Sequence, residues 1–371
     1  MKTQLSSLEI AALVKELQVL VDSKIDQIYQ TEQKDFLISV HVPRKGKHFL
    51  RIQLPGFIYL TDQKMEMPPP SEFCLNLRKN LNNSLIRKFR QLGSERIIEI
   101  TLQKDQQFKL IVELFSKGNL ILTDSQNQIL VLLEKQRWVE RELKIKTVYL
   151  PPPLSFDYSR TNFQELKQKI KQSKKSKLVT CLATEIGLGG VYAEEICLIN
   201  NLDKSQKPQD MTDNQIKLIF KSIKDFLKNI ELPQGFVYEF KDITPFELKI
   251  YRDLNKKKFS TYNQALDSVF SKKAYQLEKE KKESQYQEKI KKINHIIKEQ
   301  EQTIKKLQQQ EQIATQKANH LYEKYQEIFS LLNKVKQAKQ KLSWDEIKKE
   351  LKKHKQVKQV DLKEKKIIIQ I

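Results

Sequence analysis

After Pro245 the chain runs to Ile371 without a glycine or a proline, although eight glycines and eleven prolines occur up to that point. A stretch of that length with no backbone breaker is free to be helical nearly throughout. Within it, Tyr286, Ile290, Ile293, Ile297, Gln300, Ile304, Leu307, Glu311, Ala314, Ala318, Leu321, Tyr325, Ile328, Leu332 and Val335 follow alternating steps of four and three. That is a heptad seam, broken in character only at Gln300 and Glu311. A straight helix over these residues extends roughly 75 Å at 1.5 Å per residue. Such a seam needs cover from a second chain, a fold-back or another partner. The small, polar stretch Glu311-Gln-Ile-Ala-Thr315 is where a bend is expected, giving an antiparallel hairpin. The arm is assigned to 262–342 and a helix-strand segment to 343–371. Its last strand, Ile367-Ile-Ile-Gln-Ile371, has no partner in this reading: it pairs with something else, or the chain continues in another polypeptide or a longer parent.

The remainder alternates between short elements. Leu8, Ile10, Leu13, Val14, Leu17 and Leu20 recur at helical spacing behind an N-cap at Ser6-Ser7. Strands are predicted at 36–42, 49–54 and 57–60, then a helix from Ser71 with Phe73, Cys74, Leu77 and Leu81 on its buried stripe. Further strands are predicted at 96–102, 108–114, 119–122 and 128–133. Gly56-Phe-Ile-Tyr-Leu-Thr-Asp62 returns as Gly118-Asn-Leu-Ile-Leu-Thr-Asp124, each as the third strand of a three-strand meander. Two such half-sheets facing each other make a sandwich or flattened barrel. A polar helix or linker at 160–177, short helices to about 226, a strand near Phe236 and helix from Pro245 complete the α+β reading. The domains are 1–153, 160–259, 262–342 and 343–371.

Lys and Arg number 68 against 46 Asp and Glu, a formal net charge of +22. A chain this basic points to a polyanion, most commonly nucleic acid. The three cysteines form no CxxC, which argues against a disulfide framework and a cysteine-rich zinc site. No apolar run is long enough to span a bilayer and no signal-peptide core opens the chain, so a cytoplasmic location without membrane contact is expected. HExxH, GxSxG and GxxxxGK[ST] are absent. His41 and His48 flank a hairpin, where a solvated strand face is the plainer reading than a metal pair. Glu194-Glu195 are adjacent on a helix and do not share a face. No cofactor, metal or catalytic residue is indicated.

Two constellations suit RNA. Gly187-Leu-Gly-Gly190 lies between two short helices, a helix-hairpin-helix pattern in which Gly187, Gly189 and Gly190 bring backbone N–H groups to a phosphate; a ligand-free αα-turn is the alternative. Arg78-Lys79, Arg87-Lys88 and Arg90 are placed on or just after the second helix and lead to Glu95-Arg96 at a strand start. Arginine reads phosphates and guanine edges bidentately; a solvated basic helix face is the alternative.

Taken in order, the segments Ile10–Leu17, Lys24–Gln30, Phe73–Lys79, Glu95–Glu99, Glu113–Asp124, Gly189–Glu195 and Tyr262–Phe270 resemble the NFACT family, the RqcH/NEMF proteins of ribosome-associated quality control, in an archaeal-type form. The resemblance implies a DNA-glycosylase-like N-terminal domain, a helix-hairpin-helix domain and a coiled-coil arm. It further implies a non-enzymatic factor that binds the rRNA of obstructed large ribosomal subunits carrying peptidyl-tRNA and recruits aminoacyl-tRNA, typically alanyl, for template-free tailing. The family's Asp-Arg pair for tRNA maps onto Glu95-Arg96, with Arg78 and Lys79 assigned to the same grip. The usual Arg-x-Gly before the Tyr-x-x-Pro-Pro segment is replaced around Lys144-Ile-Lys146, and the C-terminal RNA-binding module is not within these residues, so a separate polypeptide is a candidate partner. The alternative is a glycosylase- or nuclease-like enzyme on the same fold; glycosylases of that fold use an N-terminal Pro-Glu, and Met1-Lys2-Thr3 stands there instead.

Overall fold

The computed structural model describes residues 2–63, 67–138, 141–153, 156–239, 241–355, 357–361, 364 and 366–369, with 273–282 and 285 described by backbone alone. The chain forms two compact units, Met1–Glu278 and Lys279–Ile371.

The first unit opens with α1 (Ser7–Leu17), started by a capping box in which Ser6 Oγ accepts from the Glu9 N–H and Glu9 accepts from the Ser6 N–H. β1 (Lys24–Glu32), β2 (Asp35–Val42), β3 (Gly46–Gln53) and β4 (Phe57–Thr61) follow as a meander. After α2 (Glu72–Leu81), a second meander runs through β5 (Leu85–Gln91), β6 (Ile97–Gln103), β7 (Gln107–Glu113) and β8 (Asn119–Asp124), with β9 (Ile129–Leu132) added at its edge. The repeated Leu-Thr-Asp segments are β4 and β8, so each meander has four strands and not three. β1 and β5 are the strands the apolar runs did not disclose.

Among the described residues the nine strands form one antiparallel sheet, ordered β4-β3-β2-β1-β5-β6-β7-β8-β9. Its halves are joined by the single pair Lys24↔Leu85. They meet again at their far turns, where Lys34 pairs with Glu134 at 2.8 Å and a Cβ on Gly118 would stand 2.8 Å from Leu54 Cβ. The expected facing half-sheets are therefore one sheet folded about the β1–β5 joint. Ile38, Val40 and Ile52 from one half share a core with Ile100, Leu110 and Leu122 from the other.

A two-residue ribbon, β10 (Gln136–Arg137) and β11 (Glu142–Leu143), leads to α3 (Phe163–Lys171). Next come α4 (Leu178–Thr180), which continues as a π-type turn to Glu185, then α5 (Gly190–Ile199) and α6 (Asp213–Asn229). β12 (Gly235–Tyr238), β13 (Asp242–Thr244) and β14 (Lys256–Phe259) form a separate three-stranded sheet. Helix was expected from Pro245, but a 3-10 turn and β14 intervene; Phe240 of the expected strand lies outside the described residues. The same hydrophobic core runs from the large sheet through α3, α5, α6 and β12.

Two polar contacts tie this unit together. Lys2 Nζ lies 2.6 Å from Glu9 and 2.7 Å from Asp242, with almost no solvent exposure on any of the three. Tyr192 donates to Glu9 at 2.8 Å and Tyr251 to Asp242 at 3.1 Å. Burial alone would lower the Lys2 pKa, but the two carboxylates outweigh it and the result is raised. The second contact caps the long helix α7 (Tyr262–Glu323). Glu16 accepts the Tyr262 and Asn263 N–H groups, each at 2.7 Å, and the Asn263 amide accepts from the Leu60 N–H at 2.7 Å and donates to the Leu60 carbonyl at 3.0 Å.

In the second unit α7 continues without a bend through 311–315, so the expected turn of the hairpin is absent there. Glu, Gln, Ile, Ala and Thr include no helix breaker, and a small polar seam does not by itself bend a backbone. The helical path is interrupted at Lys324, before α8 (Tyr325–Ala338). Ile297 and Leu307 on the seam are 46% and 58% exposed. α9 (Trp344–Leu351) precedes a hairpin of β15 (Val357–Asp361) and β16 (Lys366–Ile369). The apolar strand of the sequence reading thus has its partner within the chain, Gln370 and Ile371 lying outside the described residues. Leu331 and Val335 pack with Ile347, Leu351 and Val360 in a small separate core.

Replacing Lys2 by Met should lower stability by about 3–5 kcal/mol, because it leaves two buried carboxylates without a counter-charge; a loss under ~1 kcal/mol in chemical denaturation would contradict that role. Burial pushes the Glu16 carboxyl up from 4.5 to about 7, against the opposing effect of the Asn263 and Tyr262 N–H bonds. A folded state that holds this proton more tightly than the unfolded chain loses stability as pH rises from about 4.5 to about 7. Glu16→Gln should therefore show a flatter stability profile than wild type across that window, by up to roughly 3 kcal/mol; parallel melts with equal slopes would count against it.

Candidate nucleic-acid interface

α2 begins where Ser71 accepts from the Cys74 N–H and carries Arg78 and Lys79 in its last turn, where cations complement the helix dipole. It lies against β1 where β1 leaves β5, and it supplies what a neighbouring strand would have supplied. The Ile28 carbonyl accepts from Arg78 Nε at 2.6 Å and from Cys74 Sγ at 3.3 Å. The Arg78 guanidinium also stands 5.4 Å from the centroid of the Tyr29 ring. Arg78 is thus committed to the fold, whereas Lys79 is exposed.

Arg87, Lys88 and Arg90 lie on β5, a strand, and not on the helix. Arg87 pairs with Asp22 at 2.7 Å on the surface. Arg90 reaches across to Glu99 with two bonds of 2.8 Å, a charge-assisted bidentate pair between directly opposed residues. Hydrogen bonding to Glu99 raises the Arg90 pKa despite some burial.

Glu95 and Arg96 form the end of the β5–β6 turn, immediately before β6, where the sequence places a strand start at Arg96. That turn is well held: Gln91 donates to the Ser7 and Glu95 carbonyls at 2.9 and 2.8 Å, Ser94 to Asp157 at 2.7 Å, and the Leu114 N–H to the Arg96 carbonyl at 2.8 Å. The Arg96 side chain is half-buried. Desolvation pulls its pKa down, and Glu95 only partly opposes this.

The four residues assigned to one grip are not adjacent. Lys104, just past the far end of β6, bonds the Lys79 carbonyl, while Arg96 immediately precedes the other end. A seven-residue strand separates them, roughly 20 Å by its rise.

At the glycine turn, Gly187 and Gly189 have φ of 85° and 84°, a region that favours glycine. Gly189 is the N-cap of α5 without a side-chain cap, and its own N–H is already donated to the Ala183 carbonyl at 3.1 Å. Gly190 is exposed, and no atom lies within 4 Å of where its Cβ would be. Any phosphate here would meet the start of α5 at Gly190 and not the Gly189 N–H.

His41 stands opposite Lys47, and His48 opposite Val40. This one-residue offset puts the two histidines on opposite faces, and His48 pairs with Asp62 at 2.7 Å. Glu195 is buried and accepts the Lys249 and Ile250 N–H groups, both at 2.8 Å, so it holds a loop. Cys74, Cys181 and Cys197 are free and buried. A cleft of about 420 Å³ lined by Glu16, Leu20, His48, Asp62, Asn263 and Asp267 was not anticipated, since it depends on how α1, the β2–β3 hairpin and α7 converge. Among the described residues no helix is long and apolar enough to cross a membrane.

Comparison with known proteins supplies the wider context. The family described as NFACT N-terminal and middle domains matches residues 6–370. An archaeal Rqc2 homolog, aRqcH of Methanocaldococcus jannaschii, is 30% identical over 96% of this chain and 55% of its own length. The human ribosome quality control complex subunit NEMF is 22% identical over 94% of this chain and 35% of its own. The chain thus spans about half of the archaeal relative and about a third of the human one. Among solved structures, the fibrinogen binding protein from Staphylococcus aureus overlays 71% of this chain and 97% of its own with a TM-score of 0.58 at 20% identity, a likeness of fold. With the family matched along nearly its whole length, the chain belongs to the NFACT N-terminal and middle domain family.

Proposed function

We propose that this chain is the RNA-gripping part of a cytoplasmic ribosome-associated quality-control factor, a binding protein and not an enzyme. It engages obstructed large ribosomal subunits with peptidyl-tRNA and helps recruit aminoacyl-tRNA, alanyl in the simplest reading, for template-free tailing of stalled chains. The observation that carries this is the 30% identity to an archaeal Rqc2 homolog across 96% of the chain. The net charge of +22 supports an RNA partner.

Arg96 is the proposed tRNA contact. A guanidinium held partly out of water, with its desolvation only partly offset by Glu95, gains from meeting a phosphate or a base edge. Glu95 orients it. Arg78 and Lys79 contribute differently: Arg78 fixes α2 to β1, and Lys79 presents charge. The turn at Gly187, Gly189 and Gly190 offers the start of α5 to an RNA phosphate.

Arg96→Ala should leave the melting temperature nearly unchanged while weakening tRNA binding. Loss spread evenly over all tRNAs marks a phosphate contact; roughly 1–3 kcal/mol of lost discrimination marks a base edge. Unchanged affinity in both Arg96→Ala and Glu95→Ala would remove the pair from the interface. Binding to large subunits should fall by about 10³–10⁵ between roughly 50 and 200 mM salt if six to ten phosphates are neutralised. Affinity that hardly responds to salt would mean the excess charge is not a footprint for RNA.

A further inference from the structure

The register of the first meander creates a feature that the sequence conceals. Lys24 on β1 stands directly opposite His41 on β2, and His41 directly opposite Lys47 on β3. Directly opposed residues point to the same face, with Cβ atoms about 4.5–5.5 Å apart. Three basic side chains therefore form one row across three adjacent strands. They line a pocket of about 270 Å³ together with Asp26 and Asn83.

Two ammonium groups, Lys24 and Lys47, thus share one face of the sheet on either side of the His41 imidazole, an arrangement that calls for a reason. Strand lysines often protect a free sheet edge. That explanation fits Lys47, which lies beyond the β3–β4 pairing that begins at Phe49↔Thr61, but not Lys24, which is paired on both sides, with His41 and with Leu85. Internal compensation covers only part of the charge. Asp26 pairs with Lys47 at 2.9 Å and accepts from Ser39 at 3.2 Å, while among the described residues no carboxylate pairs with Lys24. Asn83, with φ of 69°, adds a side-chain amide to the rim. The result is a concave, exposed, net-positive site offering ammonium, imidazole and amide donors within two strand spacings, about 10 Å. It suits an oxyanion with several acceptors.

We propose that Lys24, His41 and Lys47, with Asn83 beside them, bind backbone phosphates of an RNA strand. The proposal rests on the RNA-binding reading above but uses none of its residues. Asp26 limits the site: it occupies Lys47 in the free protein and is displaced from it when a phosphate enters.

The test uses the full chain and a short, labelled single-stranded RNA of mixed sequence, with affinity measured by fluorescence anisotropy over a salt series. The Lys24→Gln, Lys47→Gln double variant should melt like wild type and bind at least about tenfold more weakly at low salt. Its salt slope should fall by about 1.4, at ~0.7 per single-strand phosphate contact. Asp26→Asn should bind more tightly than wild type. Lys221→Gln with Lys228→Gln, a charge-matched change on α6, should affect binding much less. Equal losses in the two double variants would show that net charge alone is being read and would overturn the site. So would wild-type affinity and slope in the Lys24, Lys47 variant while wild type binds RNA; that result spares the RNA-binding reading, which fails only if wild type itself binds no RNA. Inorganic phosphate is the competing probe. If it displaces the RNA at matched phosphate concentration, the site belongs to a small free anion and the RNA assignment is wrong.

Discussion

The fold turns on one buried ammonium. Lys2 sits between Glu9, which also caps α1, and Asp242, which begins β13. Taking three charges out of water is costly unless geometry and further hydrogen bonds compensate. Here Tyr192 from α5 and Tyr251 complete the carboxylates, so five separate segments meet at one site. The cluster thereby ties α1, α5 and the small sheet to one another.

The large sheet shows what a sequence does and does not reveal. Strands rich in apolar residues, such as β2 and β6, were legible because both faces are covered. β1 and β5 were not, because Lys24, Asp26, Arg87, Lys88 and Arg90 lie exposed along them and mask the strand pattern. Missing β1 also hid the role of Arg78. Its main partner is a backbone carbonyl on that strand, and no side-chain pattern announces such a partner. The bulge in β1 between Ile25 and Gln27 adds a further obstacle, since it keeps Ile25 and Ile28 on the core face three residues apart.

The candidate site was legible in proportion to how local it is. Glu95 and Arg96 fall immediately before β6, within a residue of the expected strand start, because an apolar strand and its first residues are a local matter. Arg78 and Lys79, by contrast, lie a whole strand away from them, a separation that only the sheet order reveals. The Lys24–His41–Lys47 row is the converse case: residues up to 23 positions apart become neighbours only once two strand registers are known. In the arm, the heptad pattern gave helix correctly, yet the absence of a bend shows that a change in seam chemistry is a weaker signal than the absence of glycine and proline.

The amide of Asn263 has a consequence for the sheet's exposed flank. β4 is an outermost strand, and a bare outermost strand is a template on which another chain can add. By accepting from the N–H and donating to the carbonyl of the same residue, Leu60, Asn263 imitates the hydrogen bonding of an adjoining peptide unit and occupies the place where a tenth strand would begin. Glu16 accepts the N–H of the same Asn263, so the cover on β4 and the anchoring of α7 to α1 share one residue. The helix that leads into the arm thus also closes the sheet at Leu60, one residue serving both the sheet edge and the helix start.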